Sequence, residues 1–219
     1  MLQHRINDVD GLTVIELNAT PLDGPEGVVK ALMDRTLAAV ALLALLPLLV
    51  LIAALVRLDS PGPALFKQPR HGGGGRIIRV LKFRTMHTAR NADTRQASRN
   101  DPRVTRIGRF LRRSSLDELP QLFNVLQGDM SLVGPRPHPL ELNDQYRKRL
   151  DTYMQRHRVK PGLTGWAQIN GCRGATETLD KMQKRLEYDL YYIENWSIWL
   201  DIKILAKTAL LGWSGRNAY

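Results

Sequence analysis

The stretch LAAVALLALLPLLVLIAALV, Leu37–Val56, runs for 20 residues without a charged side chain. At 1.5 Å per residue that is the length of helix needed to cross a hydrocarbon core of ~30 Å. Asp34 and Arg35 precede it, and Arg57 and Asp59 follow. It is not a secretory signal: it starts more than 30 residues in, follows an acidic segment, and exceeds an ordinary apolar signal core. A helix buried in a soluble core is the alternative, but such helices normally carry a polar residue over this length. Pro47, near the middle, removes a helical hydrogen bond and predicts a kink. Arginines flank both ends, so positive-inside asymmetry assigns no direction. The expectation is a re-entrant hairpin bent at Leu46-Pro47 with both ends on one side. A spanning helix with a tolerated proline is the competing reading.

Moving outward, Trp196 to Trp213 carries three of the four tryptophans among Leu200, Leu205, Leu210 and Leu211, interspersed with Asp201, Lys203 and Lys207. This pattern predicts an amphipathic helix at headgroup level, or one packed on its own domain. Residues 1–25 read as a linker with one short strand, Leu12 to Leu17. The net charge of +11 is concentrated in residues 57–160, with 22 Lys/Arg against 9 Asp/Glu. Such a face seeks an anionic partner: nucleic acid, acidic headgroups or a phosphorylated substrate. Cys172 is the only cysteine, which excludes an intrachain disulfide and any cysteine-based zinc site. The five histidines show no metal-ligand spacing.

Between these ends the pattern predicts a small α/β or α+β domain. Ala64 to Lys67 and Ile77 to Met86 read as strands. Gly72 to Gly75 between them lacks the Gly-Lys-Ser/Thr of a nucleotide loop and reads as a hairpin tip. Residues 88–103 read as a surface loop. Helices are predicted around Ile107–Leu111, over Leu119–Leu126 with Gly128 as its stop, over Leu142–Met154 and over Thr178–Ile193, and a strand over Trp166–Asn170. The boundaries are 1–29 linker, 30–58 membrane helix, 59–195 catalytic domain and 196–219 interfacial helix and tail.

The candidate chemistry lies in Ser115-Leu-Asp117-Glu118-Leu-Pro120. Two adjacent carboxylates ahead of a proline-started helix would be held ionised by its free amide groups. An ionised aspartate can attack phosphorus, and its neighbour can hold Mg²⁺ against a diphosphate. Ser115-x-x-Glu118 is equally a capping box, with no role beyond helix stability. Lys82 and Arg84 share one strand face, and Arg136 lies between Pro135 and Pro137, a setting suited to phosphate.

Taken together, these segments resemble the bacterial sugar transferase family, the monotopic phosphoglycosyl transferases. The matching pieces are Leu46-Pro47, Lys82 to Met86, Ser115 to Leu122, Asn124 to Asp129, Gly134 to Pro137, Lys160 to Gly171 and Glu187 to Tyr192, in family order over roughly residues 30–212. The resemblance implies a re-entrant helix and a catalytic domain facing the cytoplasm on the inner leaflet of the bacterial inner membrane. It implies ping-pong transfer of hexose-1-phosphate from a UDP-sugar to undecaprenyl phosphate, initiating exopolysaccharide, O-antigen or capsule synthesis. Asp117 would attack the β-phosphate, releasing UMP and forming a phosphosugar-aspartyl intermediate, and Glu118 would bind Mg²⁺. Lys82, Arg84, Arg112, Arg136 and Asp189 fall on the family's other polar site positions and are expected to bind substrate. Gln168 to Gly171 followed by Cys172-Arg173-Gly174 resembles members using UDP-glucose or UDP-galactose. Members handling diacetamido sugars often have a large residue at position 172 and Glu at 175. Residues 12–30 resemble the linker that follows additional membrane helices in larger members. No nucleic-acid recognition motif is present, and a homodimer is compatible with a membrane enzyme of this kind. Two other readings compete: a membrane-tethered nucleic-acid-binding protein, and an inactive scaffold, which would have no use for the Asp117-Glu118 pair.

Overall fold

A computed structural model describes residues 4–9, 12–17, 20–87, 101–172, 174 and 178–212. The chain opens with an antiparallel hairpin, β1 (His4–Val9) and β2 (Leu12–Leu17), so the expected single strand has a partner. Helix α1 follows over Pro25–Asp59, starting five residues ahead of the predicted boundary. Its helical pattern runs unbroken past Pro47. Lys30, Asp34, Ala38, Leu42, Leu49, Ile52 and Val56 form one buried stripe at helical spacing, on both sides of the proline. The opposite face presents Val40, Leu43, Leu46, Val50 and Leu51, all at least half exposed. A continuous apolar surface of this kind marks a membrane or protein contact, and the helix is long and apolar enough to cross a bilayer.

Both ends of α1 are fastened to the same body. At the start, Lys30 Nζ lies 2.6 Å from Asp201 Oδ2, and Asp34 accepts the Ser131 hydroxyl at 2.7 Å. At the end, Asp59 accepts the Ile107 amide at 3.1 Å.

That body is built from β3 (Leu65–His71) and β4 (Ile77–Phe83), paired antiparallel from Leu65↔Phe83 to His71↔Ile77 across the glycine turn. Then come α2 (Arg106–Ser114), α3 (Gln121–Gln127), β5 (Ser131–Val133), α4 (Leu140–Tyr146), β6 (Gly162–Thr164), α5 (Trp166–Ile169), α6 (Leu179–Glu194) and α7 (Ile198–Gly212). β5 and β6 pair in parallel. This is a mixed helix-and-sheet domain, α+β in character. Its core joins Val80 and Phe83 of β4, Leu111, Val125, Val133, Ile193 and Ile204 to the buried stripe of α1.

Two predicted elements fold otherwise. The single helix over Leu142–Met154 divides into α4 and a 3-10 turn, Tyr153–His157, because the intervening Arg147–Asp151 offers only Leu150 to bury. The strand expected at Trp166–Asn170 is a helical turn, and the strand lies just before it at Gly162–Thr164. There Gly162 packs so closely on Gly134 that no side chain fits between them. Most of the 88–103 loop, and Trp213, lie outside the described residues. Trp196 is buried, its indole N–H donating to Asp201, whereas Trp199 is 77% exposed.

Candidate active site

Three local devices bring the polar groups together. Strand β4 carries Lys82 to the domain surface. Helix α2 ends at Ser115, whose φ of 57° is the only left-handed non-glycine backbone among the described residues. This reversal launches the 3-10 turn Leu116–Glu118, which sets the two carboxylates side by side. Ser115 makes no side-chain cap, so the capping box does not form. Pro120 then starts α3, which stops at Gly128 as expected. The third device is the Gly134–Pro137 loop after β5. Its backbone is held by Gly134 N–H to Thr164 O and Gly162 N–H to Pro135 O, each 2.9 Å. Arg156 and Arg70 donate to the carbonyls of Arg136 and Pro137 at 2.8 and 2.9 Å.

The loop aims Arg136 at Glu118. Its guanidinium makes two bonds, 3.0 Å to Oε2 and 2.5 Å to Oε1, and Lys82 Nζ adds a third at 2.7 Å to Oε1. The two acids therefore differ. Burial alone would raise Glu118, but Arg136 and Lys82 hold it far below the ordinary carboxylate range. Asp117 takes part in no salt bridge among the described residues. Burial, and then the negative charge of Glu118, push it up to about 6, against the pull of Lys82, Arg136 and Arg112. One acid is held ionised by two cations; the other forms no salt bridge among the described residues and is pushed toward neutrality, a contrast common at functional sites.

Lys82, Arg112, Arg136, Asp117 and Glu118 thus converge as the sequence suggested. Arg84 is placed elsewhere. It is buried and donates to the carbonyls of Pro61, Ser60 and Val56 at 2.5, 2.6 and 3.2 Å, capping the end of α1. Asp189 lies beneath the site, 2% exposed, and accepts from Arg156 at 2.7 and 3.1 Å. Since Arg156 in turn holds the Arg136 carbonyl, Asp189 reaches the site through that backbone.

Sequence reasoning missed this lower layer. His138 lies within hydrogen-bond reach of Tyr153 at 2.8 Å, Arg156 at 2.6 Å and Arg185 at 3.1 Å, and Arg185 also donates to the carbonyls of Cys172 and Gly174. Burial and then the surrounding guanidiniums keep His138 well below its ordinary pKa, so it is neutral. No periodicity separates Arg156 or Arg185 from the many surface arginines. Only the unusual His138 between two prolines was a signal.

A raised carboxylate beside a braced one, ringed by cations, stands on a domain packed against a long helix with an exposed apolar face. The profile of the family described as Bacterial sugar transferase matches residues 25–214, and the chain belongs to that family. It is 52% identical over its whole length to the UDP-glucose:undecaprenyl-phosphate glucose-1-phosphate transferase of Escherichia coli (strain K12), covering 47% of that protein. The protein of the same name from Caulobacter vibrioides is 50% identical over 87% of this chain and 72% of its own. Exopolysaccharide production protein PSS of Rhizobium leguminosarum bv. phaseoli is 46% identical over 84% of this chain and 94% of its own. The chain spans about half the length of several of the curated relatives it matches.

Proposed function

We propose that this chain transfers glucose-1-phosphate from UDP-glucose to undecaprenyl phosphate, feeding exopolysaccharide synthesis at the cytoplasmic face of the inner membrane. The observation that carries this is the acid pair itself: Glu118 is held by Arg136 and Lys82, and Asp117 stands beside it within the same cationic ring. The relatives' names supply the donor and the acceptor.

An Asp117 carboxylate oxygen attacks the β-phosphorus of UDP-glucose. The bond from that phosphorus to the bridging oxygen breaks, and UMP leaves with that oxygen. A phosphate oxygen of undecaprenyl phosphate then attacks the same phosphorus, forming the diphosphate and returning Asp117 as carboxylate. Lys82, Arg112 and Arg136 offset the charge gathered around the phosphates. Arg136 is kept aimed by the Asp189–Arg156 pair.

Among the described residues no cluster of three or more His, Cys, Asp or Glu forms a metal cage. A Mg²⁺ here would take hard oxygens from Glu118, the substrate phosphates and water, a donor set that Mg²⁺ accepts. Glu118 fits that part as an ionised carboxylate whose Oε2 accepts a single bond, from Arg136, and keeps a lone pair for an ion. When bound, the ion would screen the diphosphate.

The membrane helix is re-entrant in this reading. Lys30 and Asp34 at one end of α1 and Asp59 at the other are bonded to one domain, which lies on one side of the bilayer. The test is UMP release from a panel of UDP-sugars, with and without undecaprenyl phosphate and Mg²⁺. Lipid- and metal-dependent release from UDP-glucose is expected. Absence of UMP from every donor, with folded and membrane-bound protein, would overturn the reading.

A further inference from the structure

A cavity of about 190 Å³, far above the ~15 Å³ that admits one water, opens between the start of α1, the end of α3 and β5. None of Asp117, Glu118, Lys82, Arg112 or Arg136 lines it. Its walls are partly apolar, from Leu22, Val125, Met130 and Val159 among others, but four cations and two carboxylates also line it.

The two carboxylates are committed. Asp34 takes Lys30 and Ser131, and Asp23 accepts the Thr20 amide at 2.6 Å. Lys30 is likewise taken, by Asp201. Arg35, Arg158 and Lys160 form no ion pair among the described residues. Arg158 Nη2 is buried without a hydrogen-bond partner, a costly state for a charged donor. Lys160 is pulled down by burial and then by Arg35, with Asp34 and Asp129 opposing more weakly. Gly128, left-handed at φ 86°, leaves room for Arg35, whose Nη2 would lie 2.7 Å from any Cβ there. The pocket is a hollow in which Arg35, Arg158 and Lys160 leave a surplus of positive charge.

Its height in the fold names the anion. Gly27, Lys30, Ala31, Asp34 and Arg35 line the pocket from α1, while Val28 and Leu32 of the same turns, beside that face, are 71% and 67% exposed. The pocket therefore sits where the charged start of α1 gives way to its exposed apolar stretch, which is headgroup depth when α1 lies in the bilayer.

We propose that this pocket binds the phosphodiester headgroup of an anionic phospholipid, held by Arg35, Arg158 and Lys160. The inference rests on α1 lying in the bilayer and is independent of the reaction. The test compares the wild-type chain with Arg158→Gln/Lys160→Gln, measuring the thermal midpoint against short-chain phosphatidylglycerol, phosphatidylcholine of equal chain length, and inorganic phosphate. Each cation is worth about fivefold in affinity for an acidic lipid, so the double variant should bind phosphatidylglycerol about 25-fold more weakly. Phosphatidylcholine should bind both proteins equally and weakly.

Equal phosphatidylglycerol affinity in the two proteins, or equally tight phosphatidylcholine binding, would overturn the proposal. Inorganic phosphate matching phosphatidylglycerol would make the pocket a soluble-anion site and overturn the lipid assignment. If the double variant fails to fold, Lys160→Met alone should show the fivefold loss. Flotation of both proteins with neutral phosphatidylcholine vesicles reports the membrane placement separately, so its failure is told apart from failure of the pocket.

Discussion

Asp117→Asn should remove turnover and make the protein more stable, and the two effects have one cause. In the folded chain the Asp117 carboxyl is raised from 3.8 to about 6, first by burial and then by the charge of Glu118. A displacement of about two units corresponds to at most ~3 kcal/mol between the two protonation states. The dyad keeps some contact with solvent, the Glu118 side chain being 15% exposed, and screening lowers that to ~1–1.5 kcal/mol. The sign follows from linkage. A carboxyl raised on folding costs nothing below its unfolded value, and its full cost is present once the pH exceeds the folded value. The amide, which cannot ionise, escapes that cost. At pH 8 the variant should therefore melt about 2–6 °C above wild type, for a domain of this size. Near pH 4.5 the gain should shrink to about a third. UMP release should fall by at least ~10³-fold. Two measurements decide the matter: thermal melts of both proteins from pH 4.5 to 8, and initial rates at pH 8. A melting difference that does not vary with pH would refute the raised carboxyl, and activity within tenfold of wild type would refute the nucleophile.

Glu118→Gln removes the neighbouring negative charge that helps raise Asp117, so the acidic limb of kcat/KM should move below pH 6; an unmoved limb would show that the two acids do not interact. Arg84→Met withdraws three donors from the carbonyls that close α1, and should cost ~3 kcal/mol in a denaturation experiment while leaving turnover per folded molecule within about threefold. A selective rise in the KM for the UDP-sugar would instead return Arg84 to the substrate. In a Cys172→Ser background, single cysteines at Thr36→Cys and Arg57→Cys should both react from the cytoplasmic side of sealed vesicles. Labelling from opposite sides would establish a spanning helix.

How much of this was legible in the chain depends on the range of the interaction. The apolar run of α1, the acid pair, the glycine hairpin tip and the Gly128 stop are written in short windows, because hydropathy, turn geometry and helix termination act locally. The likeness of seven segments to one family was legible for the same reason, since each motif is contiguous. What lay outside reach was set by contacts distant in sequence. Arg84 and Lys82 are two residues apart on one strand and looked equivalent. Lys82 meets Glu118, 36 positions away, whereas Arg84 turns back to the end of α1. The close approach of Gly162 to Gly134 made β6 fall earlier than the local pattern suggested. Asp189 resembled a site acid, but Arg156 takes it up below the surface.

The sequence by itself therefore determined the family, the long apolar helix and the adjacent acids Asp117 and Glu118. Only the tertiary structure decided which acid is braced and which is poised. Ionisation depends on which cations stand within a few ångströms, and Arg136 reaches Glu118 through a loop 18 residues further along the chain.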